Sequence, residues 1–334
     1  MDKRKSFAVL FILSSFLFSC SSNPLDIKLD NSPVEIEFTN VDSYINGKDR
    51  EEVTANIKML DEKLGDLFIF ELSHNIRANV VDSTYPIVYD FYNMDYIKEM
   101  EAEKEKLYPE LTAHEGRINK AFQYLTHYFG DSLLPKNIFY MNKMFSLITC
   151  NEENISVGLE SYISPKSDIV ESVPGDQLYQ WQRDRMDISF LERDVLLSWI
   201  QVQLFQEMDG NLVEHMVQAG KILYILNAVF PKETEAYILR YSEDQYKWAK
   251  NNEENVWNYL VGQQMLFKND ETIKTNFMNE GPTTIGLEEG APDRYGQYLG
   301  YKIVKGYMLK NKALSLQELI NTKYNNILQT YEIH

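Results

Sequence analysis

The residues of this sequence that could do chemistry are its five histidines, His74, His114, His127, His215 and His334, and a large stock of carboxylates. His114-Glu115 opens as a zinc signature does, since His-Glu-x-x-His sets two imidazoles one turn apart on one helix face with the glutamate as general base. The second ligand position is Ile118, an apolar residue, and the motif stops there. His114 then reads as a surface or packing residue on the face it shares with Arg117 and Ala121. Glu214-His215 is the other acid and histidine pair, but adjacent helical residues point about 100° apart and form no site by themselves. No two histidines are spaced as paired ligands, no Gly-x-Ser-x-Gly elbow exists, and the glycines lack phosphate-loop spacing. The two carboxylates of Gly286-Leu-Glu-Glu-Gly290 read as a solvated loop. A pair acting on a glycosidic bond is not legible from spacing, because its members need not be neighbours. The expectation is no metal, no cofactor and no catalytic residue.

The constellation that remains is Ala291-Pro-Asp-Arg-Tyr-Gly-Gln-Tyr-Leu-Gly-Tyr, running on to Met308. Pro292 and Asp293 suit a first helical turn. Gly296 and Gly300 each cost about 1 kcal/mol against alanine inside a helix, and close approach of another backbone is the usual compensation. Two readings follow. Either the glycines seat this helix on the central helices with Tyr298 and Tyr301 packed nearby, or the helix walls a groove. In the second reading Asp293, Arg294, Tyr298 and Tyr301, with His215 from the central pair, meet a partner. The chain has 22 tyrosines, which suits a recognition surface.

The elements that must position these residues centre on 192 to 229, which reads as two helices separated at Asp209-Gly210. Val195, Trp199, Val202 and Phe205 form one apolar stripe, with Leu196, Ile200 and Leu204 beside it. Leu212, Met216, Ala219, Leu223 and Leu226 form that of the second helix. Upstream, Val34, Ile36 and Phe38 alternate as a half-buried strand, and Val53, Ile57, Leu60, Leu64 and Leu67 mark a helix over 50 to 71. A charged helix is expected from Asp95 to Leu107. The next, opened by Pro109, carries the stripe Leu111, Ile118, Phe122, Leu125 and Phe129. Strands are expected at 137 to 148 and 154 to 160, joined by the turn Asn151 to Asn154. Residues 164 to 187 read as a loop. Everything after the central pair reads as helical, with capping boxes at Ser242/Gln245 and Ser315/Glu318. A short early sheet, antiparallel or mixed, with helices after it predicts a mainly helical α+β fold in one domain over 33 to 334.

The N-terminus reads as a targeting segment. Lys3, Arg4 and Lys5 precede the apolar run Phe7 to Phe18, too short to span a bilayer, and Leu17-Phe18-Ser19-Cys20 looks like a bacterial lipobox. Residues 1 to 19 are expected to be removed and Cys20 lipidated, with 20 to 32 as a tether and the acyl chains as the link to the membrane. The chain carries a formal charge of −17; residues 1 to 19 contribute +2 (Lys3, Arg4 and Lys5 against Asp2), leaving −19 for the rest. Such a surface repels phosphate backbones, so nucleic acid is not an expected partner. With Cys20 acylated only Cys150 remains, which excludes an internal disulfide.

Five features together resemble a family: the lipobox, Gly158-Leu159-Glu160-x-Tyr162, Arg193-Asp194-Val195-x-x-x-Trp199-Ile200, Gln218-x-Gly220-Lys221-x-x-Tyr224 and Tyr298-x-Gly300-Tyr301-x-Ile303-Val304. Their order and spacing resemble the gliding-motility lipoprotein GldB family of Bacteroidota. That family is in turn similar to predicted zincin-like peptidases, which carry His-Glu-x-x-His on the helix matching Val195 to Gln206 and an acidic ligand before a glycine on the next. Here the first helix has no histidine and Ala219 precedes Gly220. The resemblance therefore implies a degenerate, zincin-like body without its metal. It implies a non-catalytic, membrane-anchored protein of the cell envelope whose partners are motility or type 9 secretion proteins; Ser21-Ser22-Asn23-Pro24 lacks an acidic cluster of the kind that resembles a surface-export signal, so the expected side is the periplasm. A peptidase-like hydrolase with an unrecognised site and a periplasmic small-molecule binder are the alternatives.

Overall fold

The computed structural model describes Leu25, residues 27–29 and residues 33–332. Cys20 and the expected signal segment lie outside the described residues. In chain order the elements begin with β1 (Glu37–Asn40), α1 (Asp42–Ile45), α2 (Arg50–Ile76), α3 (Tyr85–Tyr92), α4 (Asp95–Leu107) and α5 (Thr112–Phe129). Three strands follow, β2 (Asn137–Tyr140), β3 (Ile148–Cys150) and β4 (Asn154–Val157). The remainder is helical: α6 (Asp168–Ser172), α7 (Gln180–Arg183), α8 (Leu191–Leu204), α9 (Leu212–Val229), α10 (Glu235–Leu239), α11 (Glu243–Asn251), α12 (Glu253–Gly262), α13 (Glu271–Met278), α14 (Tyr295–Lys310), α15 (Leu316–Asn321) and α16 (Tyr324–Leu328). The fold is mainly helical α+β with a small mixed sheet, as the order of sequence patterns predicts.

The sheet runs β1-β2-β4-β3, with β1, β2 and β4 parallel and β3 antiparallel to β4. Side chains alternate across a strand. Ile138 and Tyr140 of β2 therefore enter the large core built on α5, α8, α9 and α14, while Phe139, with Met141 just beyond the strand, enters a second core under α2 and α3. The apolar stripe of α2 fills that second core; Val53, Ile57, Leu60, Leu64 and Leu67 are all buried. Asp49 starts the helix by accepting from the amides of Glu51 and Glu52 at 2.9 Å. Gly65, with φ +64°, interrupts it at a conformation glycine adopts without penalty.

Four expectations are corrected. The strand expected over 34 to 38 pairs only from Glu37 to Asn40, because the ladder begins where Glu37 meets Asn137. The single strand expected over 137 to 148 is two. Met144 (φ +51°) and Phe145 (φ +68°) turn the chain between β2 and β3, so the hairpin is β3–β4 and β2 joins β4 in parallel. Its predicted turn is present, with Asn151 Oδ1 accepting from the amides of Glu153 and Asn154 at 3.0 and 2.7 Å. The loop expected over 164 to 187 contains α6 and α7. Arg183 ties it down by donating to the carbonyls of Leu178, Val170 and Val173 at 3.1, 2.8 and 2.6 Å. Finally, α8 stops at Leu204. Phe205 is extended, and Val202 is 48 % exposed rather than part of the buried stripe.

Asn211 and Glu214 form a capping box at the start of α9, each accepting from the other's amide, at 3.1 and 2.9 Å. Helices α9 and α14 then cross at two glycines. A Cβ on Gly300 would fall on the carbonyl of Met216, and one on Gly220 on the carbonyl of Gly300. Gly296 serves a different neighbour, lying under Phe277 and Met278 of α13. The glycines thus seat α14 against its packed neighbours.

Candidate functional site

The first turn of α8 buries three consecutive charges, Glu192, Arg193 and Asp194. Buried charges require partners, and these find them on different elements. Glu192 accepts from Arg117 Nε at 2.6 Å and lies 2.8 Å from His114 Nδ1, so His114 is half-buried on an ion pair rather than a plain surface residue. Arg193 donates Nε and Nη2 to the carbonyl of Ile238 at 3.0 and 2.9 Å, and Nη1 to Asp194 Oδ1 at 2.8 Å. The other oxygen of Asp194 accepts from the Tyr162 hydroxyl at 3.1 Å and meets Arg240 Nη2 at 3.2 Å.

A second node lies where α10 ends and α14 begins. Arg240, the residue after α10, has φ +55°; Arg294, the residue before α14, has φ +52°. Such left-handed backbone is uncommon for arginine. Here it accompanies Arg240 Nη2 donating to the Arg185 carbonyl at 2.9 Å and Arg294 Nη2 to the Arg240 carbonyl at 3.4 Å. Asp293 Oδ2 accepts from Arg185 Nη2, from Arg294 Nε at 3.0 Å and from the Gly281 amide at 3.1 Å. The Asp293 carbonyl accepts from the Tyr241 hydroxyl at 2.5 Å, while the side-chain Oδ1 is buried with no hydrogen-bond partner among the described residues. Guanidinium groups lie over aromatic rings, Arg185 over Trp181 and Arg240 over Phe190 at 5.3 Å, and Arg294 over Tyr241 at 5.7 Å.

Burial lowers the pKa of Arg193, opposed by Asp194 and reinforced by the nearby Arg294 and Arg240 cations. Burial acts the same way on Arg294, but Asp293 and Glu280 outweigh it and hold that group above its ordinary value. Burial first and the Asp194 charge next push the Tyr162 phenol well up, so it serves as a donor. This network borders a cleft of about 640 Å³ lined by Trp181, Arg185, Phe190, Tyr237, Arg240 and Tyr241 among others. Arginine holds its proton throughout the physiological range, and the buried carboxylates Asp194 and Asp293 are engaged by guanidinium groups. The arrangement can recognise an anion or an aromatic group.

Of the residues expected on a groove, Asp293 and Arg294 enter this network. The other three do not. Tyr298 is fully buried with its hydroxyl on Glu253 Oε2 at 2.7 Å, and Tyr301 is fully buried with its hydroxyl on Asn227 at 3.1 Å. His215 sits in the first turns of α9 among Lys274, Glu271, Glu214 and Asp209, where burial and then Lys274 lower its pKa. Sequence reasoning missed Tyr162, Arg185, Arg240 and Tyr241 as members. The one local signal was Glu192-Arg193-Asp194, three consecutive charges at the start of the largely apolar α8.

A separate polar cluster lies beyond the C-terminal ends of β1, β2 and β4. Lys104 Nζ stands 2.7 Å from both Asp42 Oδ2 and Glu101 Oε1, and Lys143 Nζ 3.0 Å from Glu71. Glu160 Oε1 accepts from the amides of Lys143 and Phe145 at 2.6 and 3.2 Å, which holds the left-handed turn after β2. These polar groups are inside the protein and fasten the sheet to α2 and α4.

The family model of the gliding motility protein GldB matches residues 22–332. The chain belongs to the GldB family. No curated protein and no solved structure matches it. The segments that suggested GldB membership now have physical roles: Tyr162, Arg193 and Asp194 build the arginine network, Glu160 the turn after β2, and Gly220 and Gly300 the helix crossing. Membership in the GldB family implies a part in gliding motility. Among the described residues no helix is long and apolar enough to cross a membrane.

Proposed function

We propose that this protein is a lipid-anchored, non-catalytic binding component of the gliding-motility and type 9 secretion machinery, held at the cell envelope through Cys20 and facing the periplasm. Its body would be a degenerate zincin-like domain whose recognition surface is the arginine-lined cleft. The observation that carries this reading is the composition of that cleft: cations on aromatic rings, with the buried carboxylates beside them engaged in ion pairs. Such a surface is suited to bind and orient a partner. Support also comes from α8, which carries no histidine, and from Ala219 ahead of Gly220.

The test has two arms in cells whose own copy is deleted. Cys20→Ser should move the protein from the membrane to the soluble fraction and abolish colony spreading; unchanged fractionation would overturn the anchor. A photo-crosslinking residue at Tyr237, on the cleft wall, should capture envelope motility or secretion proteins, and one at Glu254, on the exposed side of α12, should not. Equal capture from both positions would overturn the cleft as the recognition surface.

A further inference from the structure

Behind the cleft lies a second, smaller cavity of about 60 Å³, and the two share Trp181, Arg185 and Arg240. Its wall also includes Phe145, Leu147 and Ser161. Three residues on this wall carry a buried donor with no hydrogen-bond acceptor among the described residues: Ser161 Oγ, Arg185 Nη1 and Arg240 Nε. Ser161 and Arg240 are only 6 % and 7 % exposed. Arg185 Nη1 has an ion-pair contact with Glu280 at 3.4 Å but no hydrogen bond. Buried donors are normally paired. Three that are not, on one cavity with room for a small group, describe a receptor for an acceptor-only head.

Charge selects which head. The guanidinium groups of Arg185, Arg193, Arg240 and Arg294 face the carboxylates of Asp194, Asp293 and Glu280, one positive charge in excess. A monoanion balances it. A phosphate ester, at about −1.5 to −2 near neutral pH, would overshoot beside Glu280, and the outer cleft adds Asp184, Asp187 and Glu243. Planar guanidinium forks match a carboxylate, and their stacking on Trp181 and Phe190 fixes their planes.

We propose that the inner cavity receives the carboxylate of a ligand whose body lies in the aromatic outer cleft, at Ser161, Arg185 and Arg240. The proposal rests on the cleft being a binding site, as argued above. The carboxylate could be supplied by the C-terminus of a protein chain or by a free organic acid, and the 640 Å³ outer cleft has the room for several residues of a chain.

Titration calorimetry on the full mature protein in detergent tests this with four probes: N-acetyl-Ala-Ala-Phe as the free acid, the same peptide as its C-terminal amide, acetate and inorganic phosphate. The free acid is expected to bind and the amide to bind about tenfold more weakly or worse, because charge-assisted hydrogen bonds are lost. Ser161→Ala should weaken the acid about three- to tenfold with an unchanged melting temperature, since it deletes a hydroxyl with no hydrogen-bond partner among the described residues. Arg185→Lys should weaken it about tenfold by removing the fork. Equal binding of acid and amide, no binding by either, or tighter binding of phosphate would each overturn the carboxylate site. Acetate binding as tightly as the peptide acid would support the carboxylate head but overturn a chain terminus as its source. Cleavage of the peptide, followed by mass spectrometry, would strike the non-catalytic reading alone. Loss of the acid-over-amide preference with crosslinking at Tyr237 intact would strike the carboxylate site alone.

Discussion

Gly220 of α9 and Gly300 of α14 touch backbone to backbone, so that a side chain on either would occupy the other helix's peptide groups. Gly300→Ala therefore cannot be absorbed by a rotamer change, and overpacking of this kind costs about 1 to 3 kcal/mol or more. Gly306, on the same helix, has open space where its Cβ would be. Gly306→Ala should stabilise by about 0.5 to 1 kcal/mol through helix propensity alone. Opposite shifts in melting temperature for the two variants are the expected result, and a harmless Gly300→Ala would show that the crossing is looser than described.

Removing Asp194 should be among the most damaging single changes. It leaves Arg193, Arg240 and Tyr162 without their shared anion in the interior. Loss of one partner from such a buried pair costs about 3 to 5 kcal/mol. Urea denaturation of Asp194→Ala should show that loss, and Asp194→Asn a smaller one, because the amide oxygen still accepts.

Glu101 gives the protein a pH-dependent stability. Burial first and the neighbouring Asp42 second push its carboxyl from an ordinary 4.5 up to about 8, against the pull of Lys104. Between those values the folded protein keeps a proton that the unfolded chain has released. Stability is therefore highest below pH 4.5 for this group, falls as pH rises toward 8, and loses nothing further above it. One such site contributes a slope of at most about 1.4 kcal/mol per pH unit. Urea midpoints measured from pH 5 to 9 should fall less steeply for Glu101→Gln than for the native protein, and parallel curves would count against the assignment.

The orientation of α8 can be checked at two positions. Val202 is 48 % exposed, so Val202→Lys should change stability by no more than about 0.5 kcal/mol. Trp199 is fully buried, edge-on to Phe122, with its indole N–H on the Leu133 carbonyl at 2.7 Å. Trp199→Ala should cost about 3 to 5 kcal/mol. Comparable losses at both positions would mean the helix is rotated from the orientation described.

What was legible in the sequence was local. The stripe from Val53 to Leu67, the helix Asp95–Leu107 and the caps at Ser242 and Ser315 follow from helical period and capping chemistry, which act within a few residues. The parallel pairing of β2 with β1 was not legible, because partners a hundred residues apart leave no mark on either segment. Val202 was misplaced because an apolar residue on a helical period is not obliged to be covered. The candidate site fared similarly. Asp293 and Arg294 stood out through their place at a helix start, whereas Arg185 and Arg240 became members only when the chain brought 162, 185, 194, 240 and 293 together. Tyr298 and Tyr301 were chosen for their hydroxyls, and each hydroxyl proved to be spent on an interior partner.

Strand β2 sends Ile138 and Tyr140 to one core while Phe139 and the adjoining Met141 go to the other. The cores on the two faces of the sheet thus have a common wall only one strand thick, and neither can empty without uncovering the other. Thermal unfolding should accordingly be a single cooperative transition, with the calorimetric and van't Hoff enthalpies equal, rather than the successive melting of an N-terminal and a C-terminal half.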